Sequence, residues 1–289
     1  MNTLVSELPA ANRELLEAEK LAQARMRKRK ILVYSLRLFV LVAVLGGWEV
    51  AGRMQWIDPF FFSMPSQIAD QIWQWSNEGT AQGPLWTQIL VTLEETALGF
   101  LIGAVAGIVA GIALGRNKLL ADIFSLYIKI ANSVPRVVLG SVFILAFGLG
   151  MASKVALAVV MVFFVVFGNA FQGVVEADRN LIANAHILGA SKRQVTFSVV
   201  LPSAMTWILA SLHVSFGFAL VGAVVGEFLG SRQGIGLLIA TAQGAFNAAG
   251  VFAAMIVLAV VALAAEYLLT AMENRLLKWR PPQFGDSSH

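Results

Sequence analysis

The 289-residue chain has no cysteine, which excludes a disulfide framework, a thiolate metal site and a thiol nucleophile. Charge is scarce too: 13% of residues are Asp, Glu, Lys or Arg, against about 25% in soluble domains. No G-x-x-x-x-G-K-[ST] run is present, so nothing cradles nucleotide phosphates; the nearest string, Gly189-Ala-Ser-Lys192, lacks the first glycine and the spacing. His186, His213 and His289 form no H-E-x-x-H or other metal-ligand pattern, and there is no nucleophile elbow. These absences predict a chain that is not an enzyme and holds no cofactor or metal of its own. The N-terminus does not read as a signal peptide. It is a polar, helix-prone stretch ending in Arg25-Met-Arg-Lys-Arg-Lys30, with no small-residue cleavage site after the next apolar run.

What the chain has in abundance is apolar surface. Hydrophobic residues make up 58% of it and the mean hydropathy is +0.74, more than one soluble core can bury, so lipid is the expected solvent. Six segments have the length of a spanning helix, near residues 31–51, 86–114, 121–148, 155–175, 199–225 and 248–270. The third is interrupted by Lys129, Asn132, Pro135 and Arg136. An all-α membrane protein of six transmembrane helices follows, with both termini cytoplasmic. Basic residues support this orientation: Arg13, Lys20, Arg25 and Arg27 to Lys30, Arg116, Lys118, Arg179, Lys192, Arg193, Arg275, Lys278 and Arg280 fall inside, and only Arg53, Lys154 and Arg232 outside. The net charge of +4 thus reads as topology rather than as a nucleic-acid surface. Trp48, Trp56, Trp73, Trp75 and Trp86 mark the outer interface, and the linker there carries a short helix over 66–75. The chain divides into a basic N-terminal segment (1–30), a membrane domain (31–280) and a tail (281–289).

One cytoplasmic connection, 176–198, has its own organisation. Asp178 is an N-cap; Leu181, Ala185 and Leu188 share a helical face; Gly189 closes the helix in the left-handed conformation; Ser191 and Gln194 form a capping box for a second helix. Pro202 follows near the start of the fifth span. The segment reads as helix, glycine turn, helix, able to pass a rigid push from a cytoplasmic partner to the bundle.

Leu188-Gly-Ala-Ser191, Gln194 and Val200-Leu-Pro202 resemble the EAA loop of permeases in ATP-binding-cassette importers. The likeness extends over residues 55–282 and includes Pro65-Ser66, Phe147-Gly-Leu-Gly150, Gly226-Glu-Phe-Leu-Gly230 and Gly234-Ile-Gly236. These features resemble the nitrate, sulfonate and taurine branch. The resemblance implies the type I importer permease fold in a bacterial inner membrane. It implies two ATPase subunits that bind ATP and Mg, a second permease chain, expected to be identical, and an extracytoplasmic solute-binding protein that carries most of the selectivity. It assigns ATPase coupling to Ala183, Asn184, Ala185, His186, Leu188, Gly189, Ala190 and Ser191. One departure stands out: Ala183-Asn184-Ala185 replaces Glu-Ala-Ala, so the loop's carboxylate is missing.

Ionisable groups inside spans are costly and usually paired or functional. Arg136, after Pro135 in the broken third span, either lines the route and attracts an anionic solute or snorkels or pairs with a carboxylate. Asn169, and His213 with its neighbours Ser211 and Ser215, are either pathway contacts or packing residues. Glu94 and Glu95 lie at the outer boundary or pair with a basic group, and Glu227 reads as a structural hydrogen-bonding residue. Gly103, Gly107, Gly111 and Gly115, every fourth residue, allow close helix approach. The glycine-rich 226–246 stretch reads as a re-entrant or scoop-like segment. The rival reading, a self-contained secondary transporter or channel, predicts internal repeats and broken helices in both halves. No repeat is present, and the helix–glycine–helix loop has no role in it.

Overall fold

A computed structural model describes residues 10–276. The predicted tail over 281–289, with Lys278, Arg280 and His289, lies outside the described residues, as does the start of the basic segment. Among the described residues every regular element is helical. They divide into two compact units, the boundary falling after Ser66.

The first unit holds α1 (Ala10–Arg53) and α2 (Pro59–Phe62). Asp58 caps α2, its carboxylate accepting from Phe60 N at 2.9 Å. Glu49, near the end of α1, is tied down. It accepts from Arg53 Nε at 2.8 Å and from Ser66 N and Oγ at 3.0 and 2.9 Å.

The second unit follows with α3 (Pro65–Asn77), α4 (Leu85–Arg116), α5 (Lys118–Ser133), α6 (Leu139–Phe147), α7 (Met151–Val175), α8 (Arg179–Ile187), α9 (Lys192–Val195), α10 (Leu201–Leu229), α11 (Ile235–Gly244) and α12 (Ala248–Leu276). The short helix expected in the outer linker is α3. Its core is the trio α4, α7 and α10. Lipid tails are as apolar as leucine, so packing rather than water exclusion joins such helices, and small residues let backbones approach. The α4 glycines do this against α7: a Cβ would lie 2.8 Å from Val159 O at Gly103, 2.9 Å from Phe163 O at Gly107 and 2.8 Å from Phe167 O at Gly111. Gly222 of α10 meets Ala158 in the same way, its Cβ position 2.6 Å from Ala158 Cα. Leu157, Val162, Val166 and Ala170 are fully buried between them.

Five helical runs are long and apolar enough to cross a bilayer: Arg25–Arg53, α4, α7, Lys192–Leu229 and Ala248–Ala271. A sixth is counted only if Lys118–Ser133 and Arg136–Phe147, bent by 77°, form one span. The interruption read in the span over 121–148 is thus a break between two helices. Pro135 offers no N–H and forces the residue before it out of the helical region; Val134 is extended at φ −84°, ψ 126°, and a single 3₁₀ turn from Arg136 restarts the chain. The fifth span begins earlier than expected, because α9 runs through a π turn (Thr196–Val200) into α10. Within the 226–246 stretch the end of α10 is followed by the short apolar helix α11, entered through Gly234 at φ +112°.

Candidate functional site

The 176–198 loop holds its shape by local bonds alone. Asp178 accepts from Asn180 N at 2.8 Å and starts α8. At the other end Gly189, φ +83°, donates to His186 O and Ala190 N to Ala185 O, both at 3.0 Å. This six-to-one pattern satisfies the last carbonyls of a helix. The capping box is complete, with Gln194 N to Ser191 Oγ at 3.3 Å and Ser191 N to Gln194 Oε1 at 2.8 Å.

The buried face of α8 differs from the one read in the sequence. Ile182, Ala185 and Ala190 pack on the cluster of Val174, Ala177, Val195, Val200 and Ala204. Leu181 and Leu188 do not share it: Leu188 is 87% and its neighbour Ile187 82% exposed. Helical spacing alone fits either set; packing against the ends of α7 and α10 chooses between them. Ala183, Asn184, His186 and Ser191 are also exposed. A Cβ on Gly189 would meet nothing within 4 Å, so the space beyond the turn is open.

The proposed pathway residues fall in separate surroundings. Arg136 Nη2 donates to Asn132 Oδ1 at 2.6 Å across the bend, and its guanidinium lies 5.0 Å over the Phe164 ring. Asn169 donates to its own helix at Val165 O, 2.9 Å. Ser211 and Ser215 are buried and donate to Ile208 O and Ser211 O at 2.7 and 2.6 Å. His213 Nε2 lies 3.6 Å from Glu266 Oε1 on α12.

At the far ends of α7 and α10 from the loop lies a polar network that the sequence reading left unassembled. Glu227, 0% exposed, accepts from Thr92 Oγ1 and from Gly236 N, each at 2.7 Å. Thr92 Oγ1 accepts from Ile235 N at 2.9 Å, and Gln88 Oε1 from Gly234 N at 2.8 Å. These bonds dock the entry to α11 on α4 and confirm the structural role read for Glu227. Glu95 is buried beside Glu227 while Glu94 faces outward. Lys154, placed by the sequence in an outer connection, is instead fully buried in the first turn of α7, its Nζ donating to Leu149 O at 2.7 Å and Gly150 O at 3.1 Å. The signal was present in the sequence: Gln88, Thr92, Glu95 and Thr96 recur on one face of an otherwise apolar helix.

Comparison with known proteins adds a family. Residues 103–278 match the family described as binding-protein-dependent transport system inner membrane component. A putative aliphatic sulfonates transport permease protein, SsuC of Bacillus subtilis, is 30% identical over 84% of this chain and 87% of its own length. The taurine transport system permease protein TauC of Escherichia coli is 29% identical over 90% and 96%. Among solved structures, an inward-facing form of the MetNI methionine transporter aligns with a TM-score of 0.58 at 19% identity, over 67% of this chain and 94% of that one. At that identity the likeness is one of fold.

Proposed function

Because the chain belongs to the family of binding-protein-dependent transport system inner membrane components, as an ABC-transporter permease of the nitrate, sulfonate and taurine type, we propose that it forms the membrane pathway of an ATP-driven importer. In this reading it is a multi-pass protein of a bacterial inner membrane with both termini cytoplasmic. A second copy completes the pathway, two separate ATPase subunits dock beneath, and a solute-binding protein delivers from outside. The solute is a small anion. Sulfonate and taurine in the relatives' names support that class, and the Arg136 guanidinium at the α5–α6 bend is a cation to attract it.

The observation that carries the reading is the form of the 176–198 loop. One side of it packs on the ends of α7 and α10, and the other presents Ile187 and Leu188. Its caps close both helix ends with groups of the loop itself. A bare apolar tip on a self-supporting element suits docking into a cleft of a motor subunit, which then moves the helices behind it. The Ala183-Asn184-Ala185 departure leaves that contact to apolar groups and polar side chains without a carboxylate.

The test is Gly189→Arg. It forces a side chain into the left-handed region, costing about 1–2 kcal/mol, and places a charge where the partner would sit. ATP-driven uptake should be lost while the chain stays inserted and its ATPase no longer copurifies. Full uptake by the chain alone in ATP-free liposomes would instead establish a self-contained carrier.

A further inference from the structure

The buried network contains more negative charge than its hydrogen bonds explain. Glu95, on α4, is 2% exposed, and its Oε2 meets no donor. Facing it from α10 is the Glu227 carboxyl, within hydrogen-bonding range. From α7 the Lys154 ammonium acts on both. Glu94, the remaining charged neighbour, is on Glu95's own helix and exposed.

The donors are already committed. Thr92 and the Gly236 N–H serve Glu227, and two of the three Lys154 N–H groups serve Leu149 O and Gly150 O. Two carboxylates and one ammonium leave a single negative charge in a place closed to bulk water. Buried charge of that kind persists only when compensated. Two facing carboxylates are moreover acceptors with nothing to donate between them. Among the described residues no three His, Cys, Asp or Glu side chains group as a metal-ligand set, and the deficit is one positive charge rather than two.

We propose that Glu95, Glu227 and Lys154 form a binding site for one monovalent cation, which lies between the two carboxyls and locks the outer ends of α4, α7 and α10 together. A proton and a sodium ion share the required chemistry, and either fits the charge balance. The site stands apart from the coupling loop and does not depend on how transport is driven.

The test uses the full-length chain in nanodiscs. Its melting temperature is followed from mildly acidic to mildly alkaline pH at fixed potassium, and separately with sodium replacing potassium at fixed pH and ionic strength. A bound proton gives a melting temperature that falls as pH rises and ignores sodium; bound sodium gives one that rises with sodium. Glu95→Gln removes one charge and brings amide hydrogens of its own, so it should melt at least as high as the wild type's best condition and lose the dependence. Glu94→Gln, on the exposed side, should keep it. A wild-type melting temperature flat in both series overturns the proposal. So does a Glu95→Gln variant with the wild-type dependence, or a Glu94→Gln variant that abolishes it.

Discussion

The two ends of the α7–α10 pair are built on opposite plans. At the loop end, bonds are short in sequence and polar groups are satisfied locally, while large apolar side chains are left bare. At the other end, charges are buried and the bonds reach far along the chain, Thr92 to Glu227 and Gly234 to Gln88. The first arrangement keeps its form when a partner presses on it, because nothing distant has to move. The second ties separate helices into one block, because Thr92, Gln88 and Glu227 take partners from other helices. One end leaves its apolar groups bare; the other buries its charges.

Four substitutions test this contrast, taken by the stability each should cost. Lys154→Met leaves Leu149 O and Gly150 O without their charged donor and removes the ammonium nearest two buried carboxyls, and should cost about 3 kcal/mol, read as a fall in melting temperature of the purified chain. Gly107→Val drives a side chain into the α7 backbone midway between the ends. The cost expected of overpacking, about 1–3 kcal/mol, is checked by the same melt. Ser191→Ala removes the N-cap of α9 and should cost about 1 kcal/mol; hydrogen exchange should show the effect confined to the loop. Leu188→Ser should change stability by no more than about 0.5 kcal/mol yet cut ATP-driven uptake about tenfold, equivalent to ~1.4 kcal/mol of docking. If Leu188→Ser unfolds the chain, or Lys154→Met leaves its stability intact, the contrast fails.

Most of the loop was legible in the sequence because its structure is local: Asp178, Gly189, Ser191 and Gln194 each act within a few residues, and all four stand where their chemistry put them. Which apolar residues of α8 face inward was not, since Leu181 and Ile182 are equally apolar and only tertiary packing chooses between them. The glycine stripe announced a close contact but not its partner; α7 supplies it. Pro135 predicted an interruption, and the 77° turn depends on how α5 and α6 each find support. The Glu95–Lys154–Glu227 cluster was least visible of all, because its members come from three helices and nothing in their spacing links them.

The π turn at Thr196–Val200 has a consequence for alignment. Pro202 has no N–H to give to the turn before it, and Leu201 N reaches back five residues to Thr196 O. Val195 and Val200 would point about 140° apart on an uninterrupted α-helix, yet both are buried in one cluster. The wide turn thus carries a surplus residue that sets the rotation of everything on the loop side relative to the long helix above. Closing the wide turn into ordinary α-helix with every residue kept would swing the bare tip by roughly 100°, with every contact inside the loop still in place, whereas deleting one outward residue there, such as Phe197, would leave the two valines four residues apart and still on one face.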